Sequence, residues 1–193
     1  MKDWHQALVD TFDVLRGKGC KNNNGVVEKQ VHGYDTWERE SLKNEENPAP
    51  QYNLTEKKIL RKYVGGDECD TEIAFEGRLV GGCMDCLVNL TGTSFDKVKE
   101  FNERYAADGI IWFLESCDLN VFAIRRAMWQ MDNAGWFKNV KGFLIGRPLC
   151  YGQEMMGLDQ YRAVTGIAAK YNVPVIMDLS LIHISEPTRP RLI

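Results

Sequence analysis

The sequence contains the run Gly109-Ile110-Ile111-Trp112-Phe113-Leu114, which no charged side chain interrupts and which Glu115 follows directly. Such a run is typical of a strand in a parallel sheet that is covered on both faces. Two further strand-like stretches follow at Val140–Ile145 and Val173–Asp178, and a helix-like segment precedes each of them. Strands that alternate with helices predict an α/β layered domain with a largely parallel sheet.

The segment after Glu115 has the pattern of an amphipathic helix. Asn120 is a candidate N-cap, and Gly135 suits the position just beyond the C-terminus. One helical face would carry the apolar residues Val121, Ile124, Met128 and Met131. A second helix is predicted over Leu158–Tyr171.

Upstream of the apolar run the pattern is less regular. Phe75–Val80 is predicted to be a strand, and Cys83–Leu90 a short helix that begins at the pair Gly81-Gly82. Tight strand-to-helix packing explains this pair better than phosphate binding, because no Gly-x-Gly-x-x-Gly or Walker sequence accompanies it. Thr55–Val64 could be a strand or a short helix, and Ser41–Gln51 has the composition of an irregular surface loop.

Composition excludes several classes of function. The formal net charge is −3 over 193 residues, so no basic surface for nucleic acid is predicted. The apolar runs are far too short to span a bilayer, so no membrane partner is predicted either. Met1–Gln6 carries no apolar signal core, which favours a cytoplasmic location.

Only one pair among the six cysteines, Cys83 and Cys86, has a spacing used by metal or redox sites. A zinc site needs a second such pair, which is absent from the sequence, so no metal is predicted. The favoured interpretation is two small, reduced residues on an early helical turn. A redox protein that uses Cys83 and Cys86 is the alternative.

Glu115 is the strongest candidate for a functional residue, because ligands gather at the carboxyl ends of parallel strands. A carboxylate there can orient an imidazole and stabilise its charged form. Alternatively, Glu115 faces the positive N-terminal end of the helix at Asn120, and the residues leave both possibilities open. Asp118 is predicted to be a turn or cap residue, whereas Asp178 could line the crevice or simply occupy a turn.

Other side chains have weaker claims to a site. Arg125-Arg126 could bind a carboxylate, but a salt bridge is the favoured role. Trp4 and Trp37 lie in less regular sequence and could contact a ligand. The remaining tryptophans are predicted to pack in the core: Trp112, Trp129 and Trp136. No Gly-x-Ser-x-Gly occurs, so the sequence offers no nucleophile on an elbow, and His5 and His32 receive no role.

Seven segments, in this order and spacing, resemble the LD-carboxypeptidase family, serine peptidases that include the microcin C self-immunity peptidases. These segments are Gly77–Leu87, Leu90–Thr93, Asp108–Glu115, Arg125-Arg126, Gly135–Phe137, Val140–Arg147 and Pro174–Leu179. The resemblance implies residues 71–179 as the C-terminal α/β domain. Residues 1–70 would be a linker and remnant of a preceding domain that carries the nucleophile.

The resemblance also assigns catalytic roles. Glu115 matches the family's triad glutamate, and the serine would lie upstream of Met1, on a nucleophile elbow. The family histidine follows the Met-Asp-Leu strand within Asp-x-Gly-His. Here Ser180-Leu181-Ile182 replaces Asp-x-Gly, and His183 falls at the histidine position.

The last residues do not continue the pattern of the domain. Residues 180–190 resemble the translation of a sequencing-library transposon adapter, so residues 180–193 are interpreted as a non-native tail. On this interpretation the register of His183 with the family histidine is a coincidence.

The implied chemistry is cleavage of L,D-peptide bonds by a Ser-His-Glu triad. The substrate would be a murein tetrapeptide that releases D-alanine, or a related peptide-nucleotide antibiotic. No metal or organic cofactor is implied, and members commonly form homodimers. The chain alone is expected to be inactive because it lacks the serine. The alternative is a non-catalytic α/β domain that binds a ligand or partner.

Overall fold

The computed structural model describes residues 20–21, 27–28, 35–51 and 53–179. The described residues from Ile59 to Leu179 form one compact unit, and those up to Lys58 belong to another. Several sequence predictions lie outside the described residues: Trp4, His5, His32, His183 and the tail 180–193. The predicted domain boundaries stay a prediction.

The described residues of the smaller unit form two short antiparallel ladders. The first pairs β1 (Cys20–Lys21) with β2 (Val27–Glu28), and the second pairs β3 (Thr36–Trp37) with β4 (Glu56–Lys57). Ser41–Gln51 forms no helix or strand, which confirms the predicted irregular loop.

The larger unit carries the layered α/β structure. Its elements in chain order are β5 (Arg61–Val64), β6 (Asp67–Glu68), β7 (Arg78–Cys83), α1 (Met84–Leu87), α2 (Val98–Arg104), β8 (Ile110–Glu115), α3 (Val121–Asn133), β9 (Val140–Gly146), β10 (Glu154–Met155), β11 (Leu158–Asp159), α4 (Gln160–Ala168) and β12 (Val175–Leu179). Single 3₁₀ turns follow α1 and α4. Within the described residues, none of the helices is long and apolar enough to cross a membrane.

Six strands form one sheet in the order β6-β5-β12-β9-β8-β7. Strands β7, β8, β9 and β12 are mutually parallel, whereas β5 and β6 are antiparallel additions at the far side. The α/β class and the largely parallel sheet are therefore confirmed. The undecided stretch Thr55–Val64 supplies β4 and β5, both of them strands.

Exposure alternates along β8, so the prediction that both of its faces are covered is wrong. Ile110, Trp112 and Leu114 are at most 1% exposed, whereas the side chains between them are half-buried. The fully covered face packs into the core beside residues of the neighbouring strands: Phe143, Ile145, Val175 and Met177. One face of the sheet therefore holds the core, and the other remains partly open to solvent.

Helix α3 begins and ends where the sequence predicts. The Asn120 side chain accepts from the N–H of Ala123 at 2.9 Å, which makes it the N-cap. Gly135 has φ 78°, and the N–H of Trp136 donates to the carbonyl of Met131 at 3.1 Å. This backbone bond belongs to the Schellman motif that ends many helices.

The strand predicted at Phe75–Val80 begins later, at Arg78, and runs through both glycines to Cys83. Gly81 has φ 154°, and a Cβ atom there would lie 1.7 Å from the carbonyl oxygen of Phe113. The glycine is therefore required by close contact between two strands, rather than by strand-to-helix packing.

The packing prediction holds for two of the three tryptophans. Trp112 and Trp136 are each 1% exposed, but Trp129 is 58% exposed. Trp129 lies on the outer side of α3, because the buried face of that helix is formed by Val121, Ile124, Ala127, Met128 and Met131. The prediction that Trp129 packs in the core is therefore wrong.

Candidate functional site

The four parallel strands end at one edge of the sheet. Cys83 and Glu115, the last residues of β7 and β8, are directly paired in the parallel register. On the other side of β9, Leu179 of β12 is paired with Gly146. This edge is where ligands bind in open α/β sheets.

A first group of side chains at this edge, the Glu115 cluster, consists of Cys83, Asp85, Glu115 and Ser116. Glu115 is half-buried at the end of β8, and Ser116 is 1% exposed. Because the strands are parallel, the helix that follows β7 lies beside the loop that follows β8. The structure thus places Glu115 at the predicted edge, next to a neighbouring helix start.

Asp85 connects the Glu115 cluster to the loop that follows β8. Its carboxylate accepts from the backbone N–H groups of Cys117 at 3.0 Å and Asp118 at 2.8 Å. The thiol of Cys83 donates to the same carboxylate at 3.4 Å. Burial raises the pKa of Asp85, but the hydrogen bonds from Cys117, Asp118 and the Cys83 thiol together outweigh burial and hold the pKa below its usual range.

The cysteine pair does not have the properties of a redox site. Burial raises the pKa of the Cys83 thiol to about 11, and Cys86 is exposed. Reactive thiols instead have lowered pKa values, so this environment runs against the redox alternative. Among residues 35–51 and 53–179, no three side chains of the metal-binding types converge.

A second group, the Asp178 cluster, consists of Arg147, Gln160, Tyr161 and Asp178. Asp178 is 3% exposed and accepts from Nε2 of Gln160 at 3.1 Å and from the hydroxyl of Tyr161 at 2.7 Å. Arg147, also 3% exposed, donates through Nη2 to the backbone carbonyl of Asp178 at 3.1 Å. Asp178 is therefore not an ordinary turn residue.

The charged groups of the Asp178 cluster, Asp178 and Arg147, are both buried from solvent. Burial raises the pKa of Asp178, and the Tyr161 hydroxyl and the Arg147 charge oppose that rise only in part. Burial and the Asp178 carboxylate together raise the pKa of Tyr161, so its hydroxyl stays protonated and donating. Strand β9 separates this cluster from β8, and the cluster fixes the end of β12.

Contacts at the start of α3 bear on the alternative role of Glu115. The N–H groups of Val121 and Ala123 donate to the side chains of Gln153 and Asn120 at 3.1 and 2.9 Å. Two donors of the first helical turn are thus occupied by other side chains. This weakens the alternative in which Glu115 serves mainly that helix terminus.

The remaining candidates lie outside both clusters. Asp118 is exposed and lies in a bend between β8 and α3, which agrees with the predicted turn, whereas Asn120 rather than Asp118 caps α3. Arg125 donates to the carbonyl oxygen of Arg162 at 2.9 Å. Trp37 is half-buried in β3.

Sequence reasoning missed Asp85, Arg147 and Tyr161. The sequence did contain a signal for Arg147, because Arg147 directly follows the apolar strand β9, just as Glu115 ends the apolar strand β8. The sequence contained no signal for Asp85 or Tyr161, because their hydrogen-bond partners, Cys117 and Asp178, lie 32 and 17 residues away in the chain.

Residues 76–190, more than half of the chain, match the sequence profile of the LD-carboxypeptidase C-terminal domain. No curated protein sequence gives a significant match.

Solved structures share the fold at low sequence identity. The microcin C7 self-immunity protein MccF in complex with glutamyl sulfamoyl guanosine is 14% identical, with a TM-score of 0.60 over 90% of this chain and 46% of that chain. MccF in complex with aspartyl sulfamoyl adenosine is 15% identical, with the same TM-score and coverage. A muramoyltetrapeptide carboxypeptidase from Oxalobacter formigenes shows a weaker likeness, 23% identical with a TM-score of 0.46 over 64% of this chain and 40% of that chain. The chain thus spans less than half the length of these proteins.

Proposed function

The chain belongs to the LD-carboxypeptidase family, and from this premise we propose that it supplies the glutamate of a serine peptidase that cleaves L,D-peptide bonds. The observation that carries the proposal is the position of Glu115. It ends an inner parallel strand, is half-buried, and is paired with Cys83 at the edge where ligands gather. A carboxylate so placed can accept from one ring nitrogen of a histidine and stabilise the imidazolium.

In this proposal the glutamate is the one triad member that lies among the described residues. The 193 residues contain no Gly-x-Ser-x-Gly, so the serine would come from outside them. His183 is the histidine candidate by register with the family, although Ser180-Leu181-Ile182 stands where the family has Asp-x-Gly.

In the proposed reaction the histidine takes the serine proton as the serine attacks the peptide carbonyl. Glu115 steadies the positive charge that the imidazole then carries. The terminal amino acid leaves with a proton from the imidazolium, and water releases the acyl-enzyme by the same steps.

The proposed substrate is a murein tetrapeptide that loses its terminal D-alanine. A peptide-nucleotide antibiotic is the second candidate, supported by the complexes of MccF with aminoacyl sulfamoyl nucleosides. The proposal includes a cytoplasmic location, with which the five free cysteines among the described residues are compatible. It also includes a homodimer, for which exposed apolar side chains of the larger unit are available: Leu79, Phe95 and Trp129.

The test joins the chain to the nucleophile domain of a family member, replaces residues 180–193 with the matching segment of that member, which contains Asp-x-Gly-His, and follows D-alanine release from the tetrapeptide by chromatography. We expect no release by the isolated chain and measurable release by the fusion. Glu115→Gln should lower kcat by about 10³- to 10⁴-fold, as loss of the orienting carboxylate does in serine proteases. Glu103→Gln, an exposed carboxylate on α2, is the control and should leave kcat unchanged.

Three outcomes would contradict the proposal. Hydrolysis by the isolated chain would show that it holds its own nucleophile. Undiminished turnover in Glu115→Gln would remove Glu115 from the triad. A folded fusion that binds the tetrapeptide without turnover would favour the alternative, a non-catalytic binding domain.

A further inference from the structure

The loop between β8 and α3 is tied to helix α1, which follows the neighbouring strand β7. The backbone N–H groups of Cys117 and Asp118 each donate to a separate oxygen of one carboxylate, Asp85 Oδ2 at 3.0 Å and Oδ1 at 2.8 Å. Both donors follow Glu115 within three residues. A carboxylate that accepts two backbone N–H groups with its two oxygens fixes both the position and the direction of that backbone.

Asp85 is itself held firmly. It is the second residue of α1, which starts directly after β7, and its neighbour Met84 is 1% exposed in the core. The thiol of Cys83 donates to Oδ2 of Asp85 at 3.4 Å. Because Cys83, the last residue of β7, is paired with Glu115 in the sheet, the start of α1 lies beside the loop, and the Asp85 carboxylate reaches the loop from there.

The charge state of Asp85 suits this role. Burial would favour its neutral form, but the N–H groups of Cys117 and Asp118 hold its pKa below the usual range, so the carboxylate is ionised at neutral pH. Bonds from N–H groups to an ionised acceptor are shorter and stronger than those to a neutral one.

We propose that Asp85 is a positioning residue for Glu115: by binding the N–H groups of Cys117 and Asp118 it fixes the chain immediately after Glu115 and thereby the direction of the Glu115 side chain. The catalytic consequence rests on the proposed function above. Asp85 touches neither the substrate nor the imidazole in this proposal. A displacement of about 1 Å in a catalytic group costs on the order of 10²-fold in rate, so an anchor of this kind matters for turnover.

The first test uses the full chain and nuclear magnetic resonance, so it needs no activity. In Asp85→Ala we expect amide hydrogen exchange at Cys117 and Asp118 to accelerate by at least about 10-fold. The ¹³C shift of the Glu115 carboxyl at neutral pH should move as well. Unchanged exchange at both amides, or an unchanged Glu115 shift, would overturn the proposal.

Asp85→Asn is the second variant, in case the alanine variant does not fold. The amide keeps one acceptor oxygen and replaces the other with a donor, so only one of the two loop N–H groups can remain bonded. We expect faster exchange at either Cys117 or Asp118, but not at both. No change at either amide would overturn the proposal.

Asp96→Asn is the matched control, because Asp96 is another carboxylate of lowered pKa that accepts backbone N–H groups, from Gly92 at 3.0 Å and Val98 at 3.3 Å. Its hydrogen-bond partners, Gly92, Val98 and Trp136, do not belong to the loop that follows Glu115. The control should leave exchange at Cys117 and Asp118 and the Glu115 shift unchanged. If it moves them as strongly as Asp85→Asn does, the effect is general destabilisation and the proposal fails.

The second test separates this proposal from the proposed function. In the active fusion, Asp85→Asn should lower kcat by about 10- to 100-fold with little change in KM. An unchanged kcat, in a fusion that Glu115→Gln inactivates, would overturn the positioning role and leave the peptidase assignment intact. A fusion without turnover in which the Asp85 variants still release the loop and move the Glu115 shift would retain the positioning role and contradict the peptidase instead.

Discussion

The indole rings of Trp112 and Trp136 stack in the core with centroids 5.6 Å apart and 13° between their planes. Their indole N–H groups differ in hydrogen bonding. Nε1 of Trp136 donates to both oxygens of Asp96 at 3.0 Å, whereas Nε1 of Trp112 is buried without an acceptor. Two equally buried tryptophans therefore differ in whether the indole N–H has an acceptor.

This pair allows a clean comparison of two variants. Trp136→Phe should destabilise the protein by about 1.5–3 kcal/mol more than Trp112→Phe, because only the former removes bonds to a carboxylate. Both changes remove a similar volume, so the cavity cost largely cancels in the comparison. Urea unfolding of the two variants measures the difference. Equal free energies of unfolding would contradict the assignment of the Trp136–Asp96 bonds.

Gly81 should tolerate no side chain. Gly81→Ala combines an unfavourable φ of 154° with a Cβ atom 1.7 Å from the Phe113 carbonyl oxygen. We expect a loss of about 2–5 kcal/mol from backbone strain and overpacking together. Gly92→Ala is the control: its φ is 74°, and no atom lies within 4 Å of the added carbon. A loss of only about 1 kcal/mol is expected there, and equal losses would contradict the close contact between β7 and β8.

Stability should respond to pH through Asp178. Its pKa in the folded state is raised above the 3.8 of an unperturbed carboxyl, so the folded chain binds this proton more tightly than the unfolded chain does. The contribution of Asp178 to the free energy of unfolding therefore falls as pH rises from about 4 through the pKa of the folded state. Asp178→Asn removes the titration.

The measurement is urea unfolding of both proteins between about pH 4 and pH 7. The stability of the wild type relative to Asp178→Asn should decrease as pH rises. Asp85 and Asp96 have lowered pKa values and act in the opposite sense, at lower pH, but they cancel in the difference. If the stability of the wild type relative to Asp178→Asn instead rises with pH, the pKa of Asp178 is lowered in the folded state, because Arg147 and Tyr161 outweigh the effect of burial.

The N-cap of α3 offers a local test of the fold. Asn120→Ala should cost about 1 kcal/mol, because the N–H of Ala123 loses its acceptor. Asn133→Ala is the control at the other end of the same helix, where the side chain is exposed and donates to the carbonyl of Trp129. Its effect should stay within about 0.5 kcal/mol in thermal unfolding. An equal loss in both variants would contradict the specific capping role.

Sequence reasoning succeeded where the determinants are close together in the chain. The bounds of α3 follow from Asn120 and Gly135, each of which acts within a few residues of itself. The position of Glu115 at the end of an inner strand follows from the six apolar residues before it. These signals sufficed for the fold class and for the edge that carries the candidate site.

The features that sequence reasoning got wrong, left open or missed depend on contacts between distant segments. Exposure along β8 is set by what covers each face of the sheet, which an apolar run does not report. Asp178 is buried because Tyr161 and Arg147, from α4 and the end of β9, surround it. Asp85 binds a loop more than 30 residues away in the chain, and nothing in its own neighbourhood indicates that partner.

The alternation of exposure along Ile110–Glu115 limits how insertions and deletions can accumulate nearby. A slip of one residue in β8 would turn Leu114 towards water and carry the Glu115 carboxylate into the apolar interior. Length changes around this strand are therefore tolerable only if the adjoining turns absorb them completely. The buried face of β8 thus restricts sequence divergence at Glu115, although Glu115 lies on the other face.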